Sequence, residues 1–178
     1  MAYIGKVPTA VPLSGADIED GTIQAVDLAS GVLPANTPAF SAYLNSDQTS
    51  LTDNVWVKVA ANAEFYDTDG KYDVSNYRFT PTVAGKYMFG TSLYVEASNT
   101  MEASSLSFYK NGSIFLYKEE NASNITTQQL TGVIELDSDD YVELYIKVNV
   151  AAGGTFFVNQ DGTTVNNRCY WYGYKLIT

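Results

Sequence analysis

Residues Asp67 to Phe89 read "DTDGKYDVSNYRFTPTVAGKYMF". Asp69-Gly70 and Ala84-Gly85 are turn dipeptides, and Pro81 breaks the run between them. Tyr72, Val74, Tyr77 and Phe79 alternate along the first part, and Tyr87 and Phe89 begin a new alternation after Gly85. Successive side chains of a strand point to opposite faces, so period-two aromatics cut by Gly and Pro read as half-buried strands joined by tight turns.

The same pattern extends in both directions. Strands are expected near 39–44, 54–60, 72–80, 86–97, 104–110, 113–118, 124–136, 140–149, 155–159 and 168–177. Turn signals separate them: Asn111-Gly112, Asp139-Asp140, Gly153-Gly154 and Asp161-Gly162 join the two already named. Asn-Gly and Asp-Gly between alternating segments are strong hairpin signals because they accept positive φ. Many short strands without a helical stretch predict an all-β sandwich or jelly roll, and no internal repeat interrupts it.

Alternation also assigns faces. In 141–150, Val142, Leu144, Ile146, Val148 and Val150 share one face, which should line the core. Tyr141, Glu143, Tyr145, Lys147 and Asn149 share the other. In 86–97, Tyr87, Phe89, Leu93 and Val95 point in, while Met88, Ser92, Tyr94 and Glu96 point out. Tyr94, Tyr141 and Tyr145 thus sit on faces that a monomer leaves wet. Tyrosine is enriched at subunit interfaces, so these three are the expected interface residues.

Composition excludes several functions. The 178 residues carry a net charge of −10, which argues against a nucleic-acid partner and against anionic membranes. No stretch approaches the length of a membrane span, no N-terminal run reads as a signal peptide, and no membrane insertion is expected. The three glycosylation sequons, at Asn111, Asn121 and Asn124, are read as chance in an Asn/Ser/Thr-rich chain. The single cysteine, Cys169, lies in the apolar run "CYWYGYKLI" and reads as a buried thiol. The chain has no histidine, which removes Ser-His-Asp and Cys-His catalysis and imidazole-bound zinc. Asp67, Asp69 and Asp73 form one carboxylate cluster and Asp137, Asp139 and Asp140 another. Aspartates at such positions read as turn formers, and "DTDGKYD" does not fit a helix-loop-helix calcium loop. No catalytic residue, metal ligand or cofactor is assigned, and an enzyme is not expected.

Composition shifts near residue 39. Pro8, Pro12, Pro34 and Pro38 precede it, and Tyr3 is the only aromatic before Phe40. Residues 1–38 cannot bury a core of their own. A short helix around Ile23–Ser30 and an extended arm with apolar pegs both fit this segment.

Position by position, the opening stretch resembles the globular head domain of the first complement component, a family that shares its jelly roll with the tumour necrosis factors. The matching residues are Asp67, Tyr72, Phe79, Gly85, Tyr87 and Phe89. Two positions depart: Ala61 stands where the family has Phe, and Thr91 where it has an aromatic. "AFSAYL" at 39–44 looks like the family's first strand and "YGYKL" at 172–176 like its last. The resemblance implies a jelly-roll sandwich of about ten antiparallel strands over 39–178, packed as a homotrimer by aromatic faces about a threefold axis.

The N-terminal part carries a second resemblance. "MAYIGK" followed by "DIEDGTIQAVDLA" looks like N-terminal segments of bacteriophage tail-fibre and related virion proteins. It implies that 1–38 is a virion-anchoring arm whose pegs are Tyr3, Ile4, Val7, Val11, Leu13, Ile18, Ile23 and Leu28. The expected protein is a bacteriophage structural protein located in the virion. It is a trimeric tail or head fibre, held to other virion proteins by its arm, with a head that meets a host-surface glycan or protein. A capsid decoration protein, whose arms staple the shell, is the nearest alternative. A bacterial surface adhesin is the second and a carbohydrate-processing enzyme the third.

Overall fold

The computed structural model describes residues 36–121, 125–160 and 167–177. The chain divides into two units, 1–35 and 36–178. The eight anchoring residues, the alternative helix at Ile23–Ser30, the Asp161-Gly162 turn and the Asn124 sequon lie outside the described residues.

Thirteen strands occur among the described residues: β1 (Ala39–Tyr43), β2 (Gln48–Thr52), β3 (Val57–Lys58), β4 (Ala63–Asp67), β5 (Tyr72–Asp73), β6 (Arg78–Phe79), β7 (Gly85–Ala97), β8 (Met101–Lys110), β9 (Ser113–Asn121), β10 (Ile125–Leu136), β11 (Val142–Val150), β12 (Thr155–Val158) and β13 (Tyr170–Lys175). They form two antiparallel sheets. In the seven-stranded sheet the order is β2-β12-β7-β13-β1-β4, with β10 along the other edge of β7. In the six-stranded sheet it is β5-β6-β11-β8-β9, with β3 also on β11. The expected all-β jelly-roll sandwich is the fold.

The sheets meet over an aromatic core. Phe40 stacks on Tyr72 at 4.9 Å and on Phe79 at 4.7 Å, and meets the Trp171 ring edge-on at 4.7 Å. Phe89 and Phe108 close the cluster against Trp171. Offset and edge-on geometries of this kind add to the area that the rings bury. The Tyr72 hydroxyl donates to the Ala61 carbonyl at 2.7 Å and accepts from Trp171 Nε1 at 3.3 Å. A buried phenol and a buried indole are therefore both satisfied. This bond links Tyr72 to Ala61, one of the two positions that depart from the family pattern.

Three expectations are corrected. The strand expected over 72–80 is two short strands, because Asp73 makes a turn between them. Its Oδ1 accepts from the Ser75 and Asn76 amides at 2.9 and 3.0 Å, and Tyr77 takes a positive φ of 53°. The Thr80 amide then donates to the Lys71 carbonyl at 2.9 Å and closes the hairpin. Within 54–60 only Val57–Lys58 is strand. β2 and β4 had no counterpart among the expected strands; both are edge strands with little burial, so neither shows an alternation to read.

Candidate functional site

Each sheet has one face in the core and one outside. On the seven-stranded sheet, Phe40, Ala42, Phe89, Leu93, Val95 and Trp171 are buried between the sheets. Their neighbours along each strand therefore point outward. The register aligns those outward residues in three rows. The first runs Tyr66, Ser41, Tyr172, Gly90, Thr131. The second runs Ala63, Tyr43, Tyr170, Ser92, Gln129, and the third Ala39, Tyr174, Met88, Val133. None of these positions is charged. Tyr66 and Val133 are about half exposed, at 49% and 47%.

Gly90 shapes this face. Any β-carbon there would overlap the Tyr172 ring and hydroxyl, so the missing side chain lets Tyr172 lie flat across β7. Gly173 does the opposite on the inner side: its absent side chain makes room for Phe89, which a β-carbon would meet at 2.6 Å. Tyr43 stacks on Phe65 at 4.4 Å at the margin of the face.

Tyr94, one of the expected interface residues, lies on this sheet but towards the far end of β7. The Arg168 guanidinium sits 3.6 Å above its ring centroid. Its amide donates to Cys169 Sγ at 3.3 Å, and that thiol donates to the Asn159 carbonyl at 3.2 Å. Cys169 is fully buried, as expected, and burial pushes its thiol up to about 11.

Tyr141 and Tyr145 lie with the opposite outer face, that of the six-stranded sheet. The structure does not bring them together with Tyr94. Arg78 lies 5.0 Å over the Tyr141 ring and Lys58 6.0 Å over Tyr145. Tyr145 also stacks on Tyr109 at 4.0 Å, which meets Trp56 edge-on, with Lys147 above the indole. Lys58 pairs with Glu143 at 2.5 Å on the same face.

The carboxylate clusters act on the backbone. Asp67 accepts from the Asp69 and Tyr72 amides, so this member of the family motif shapes the turn that delivers Tyr72 to the core. Asp140 accepts from the Asp137 amide at 2.7 Å and from Asn111 Nδ2 at 2.6 Å, and pairs with Lys110 at 2.7 Å. The Lys110 hydrogen bond, with the Asp137 amide, lowers its carboxyl to about 2.

Sequence reasoning missed Tyr43, Tyr66, Tyr170, Tyr172 and Tyr174. The signal for three of them was present: "YWYGY" puts Tyr at 170, 172 and 174 on one face, with Trp171 and Gly173 on the other. Tyr43 and Tyr66 join them only through the pairing of β1 with β13 and β4.

The fold has known relatives. The globular domain of zebrafish complement 1qA superposes with a TM-score of 0.53 at 16% identity, over 79% of this chain and 97% of that one. Murine APRIL gives 0.55 at 9% identity, over 78% of this chain and 98% of that one. Phage-like element PBSX protein XkdV of Bacillus subtilis (strain 168) is 27% identical over 119 residues. That alignment covers 61% of this chain and 17% of the relative, so the chain spans less than a fifth of that protein's length. The pattern of the C1q domain matches residues 39–164, which include the opening motif from Asp67 to Phe89. With well over half of its length matched and the jelly roll in place, the chain belongs to the C1q domain family.

Proposed function

We propose that this is a bacteriophage virion structural protein: a homotrimeric tail or head fibre, anchored by residues 1–38, whose head binds the host surface. The observation that carries it is the similarity to a phage-like element protein over 61% of the chain. The tyrosine rows supply the geometry of assembly. Adjoining rows of tyrosines and small or apolar residues with no charge among them have the composition of an interface core. In a threefold ring each subunit meets the next through two different surfaces, and the ring closes. The head works by adhesion rather than catalysis, and several trimers per particle multiply a weak contact.

Immunogold labelling of intact particles with antibody against the head tests this. Label at the tail tip or on head fibres, with soluble protein blocking adsorption to cells, is the expected result. Label spread evenly over the capsid, without such a block, makes the protein a capsid decoration. Particles without label overturn the virion assignment.

A further inference from the structure

The hairpin 70–82, inside the family motif, surrounds an open depression of about 340 Å³. Lys71 and Asp73 line it from one limb, and Arg78, Thr80 and Thr82 from the other. The pairing of Asp73 with Arg78 across β5 and β6, and the Thr80 amide bond to Lys71, fix the two limbs together.

Charge sets this place apart. The chain is strongly acidic, yet here two cations face one carboxylate. That carboxylate is already engaged: Asp73 accepts from Asn76 Nδ2 and from the Asn76 and Ser75 amides, which together hold its pKa low. Lys71, like Lys86 and Lys175, makes no ion pair among the described residues, whereas Lys58, Lys110, Lys118 and Lys147 all do. The Arg78 guanidinium is held over the Tyr141 ring, and its buried Nε has no hydrogen-bond partner among the described residues. The contrast is a second depression, of about 400 Å³, beside Lys110 and Phe115. There the ammonium is spent on Asp140 and the Glu135 carbonyl.

We propose that the 70–82 depression binds an oxyanion carried on a sugar or polyol, a carboxylate or a phosphate. A guanidinium offers a planar fork of donors matched to such groups, and it is already oriented by the ring beneath it. Less ordering is then lost on binding. Lys71 adds a second charge, and the Thr80 and Thr82 hydroxyls supply donors and acceptors for neighbouring hydroxyl groups. The assignment of that sugar or polyol to a host surface rests on the attachment reading above; oxyanion binding does not.

The test is titration of the ¹⁵N-labelled full chain with sodium glucuronate and, separately, with glycerol phosphate, followed by amide shifts. Saturable shifts confined to 70–82 and Tyr141 are expected with at least one probe. Glucuronate alone identifies a carboxylate site, and glycerol phosphate alone a phosphate site. Lys71→Gln and Arg78→Gln should each weaken binding about tenfold or more, the loss of one charge-assisted hydrogen bond. Lys71 makes no ion pair among the described residues, so its variant keeps the test valid if Arg78→Gln misfolds. Absence of shifts with both probes, or affinity unchanged in Lys71→Gln, overturns the site. Neither result touches the virion assignment, which the labelling decides.

Discussion

The two outer faces of the sandwich carry similar numbers of aromatic rings and use them differently. On the six-stranded sheet the rings over β11 are covered within the chain: Tyr145 by Tyr109 and Lys58, Tyr141 by Arg78, Trp56 by Lys147, while Tyr117 on the edge strand β9 stays 61% exposed. On the seven-stranded sheet Tyr170, Tyr172 and Tyr174 lie in uncharged rows, beside Tyr43 and Ser92, Ser41 and Gly90, and Ala39 and Met88 respectively. A cation over a ring in water gains a modest attraction and remains hydrated, so the covered rings of the first face need no partner subunit. The second gains only when another surface removes its rings from water. A tyrosine therefore marks an interface by what lies around it, and exposure alone does not distinguish the two faces.

A charge placed on each face in turn has the largest expected effect. In the proposed trimer Tyr172→Glu would bury a carboxylate among uncharged neighbours, and the expected outcome is complete dissociation to monomers by sedimentation velocity. Tyr145→Glu, on the other face, should leave the trimer intact. Dissociation by Tyr145→Glu with an intact Tyr172→Glu trimer would exchange the roles of the two faces.

Next in size is the shared core. Trp171 lies beneath Tyr170 and Tyr172 on β13 and touches Phe40, Tyr72, Phe89 and Phe108. Trp171→Ala should cost about 3–5 kcal/mol in denaturant unfolding, since the cavity opens in the centre of a ring cluster. Because this residue supports both sheets, the variant should lose stability in the monomer as well as in the trimer.

A smaller substitution refines the first. Gly90→Ala requires the end of the Tyr172 side chain to move, and the ring then stands off β7. Trimer dissociation should become about tenfold easier, equivalent to about 1.4 kcal/mol, while far-ultraviolet circular dichroism stays unchanged. An unaltered trimer would show that Tyr172 need not lie flat for assembly.

Much of this fold is legible in the sequence because a dry core imposes alternation. Tyr72, Phe79, Tyr87 and Phe89 are all buried as the motif implies, and the aliphatic face of β11 is buried from Val142 to Val150. β2 and β4 escape because an edge strand exposed on both sides has no reason to alternate. The site is less legible for a different reason. Tyr141 and Tyr145 alternate outward as expected, but the cations that cover them arrive from β3 and β6, far away in sequence. Tyr43 and Tyr66 reach the tyrosine rows only through strand register, a long-range property that no local window contains.

The last contrast is one of charge and is read by pH. Asp140 follows β10 of the tyrosine-bearing sheet and leads into β11 of the other, and it ties Lys110 and Asn111 at the β8–β9 turn to Asp137. Its carboxyl is lowered from an ordinary 3.8 to about 2. The unfolded chain therefore takes up this proton first as pH falls. The stabilisation is fully present above about pH 4, and it is lost as pH drops through about 2. Glu64, on edge strand β4, has the opposite sign: burial, then Asp67, raises its carboxyl above 4.5. Its contribution is present below that value and is lost as pH rises through the folded-state pKa. Thermal melts across pH 2–7 should thus show Asp140→Asn flattening the acid limb and Glu64→Gln slightly raising stability near neutrality. An acid limb unchanged in Asp140→Asn would mean that the Lys110 pair does not hold the β10–β11 turn. The joint between the sheets would then rest on the backbone bond from the Asn111 amide to the Tyr141 carbonyl and on the core beneath it.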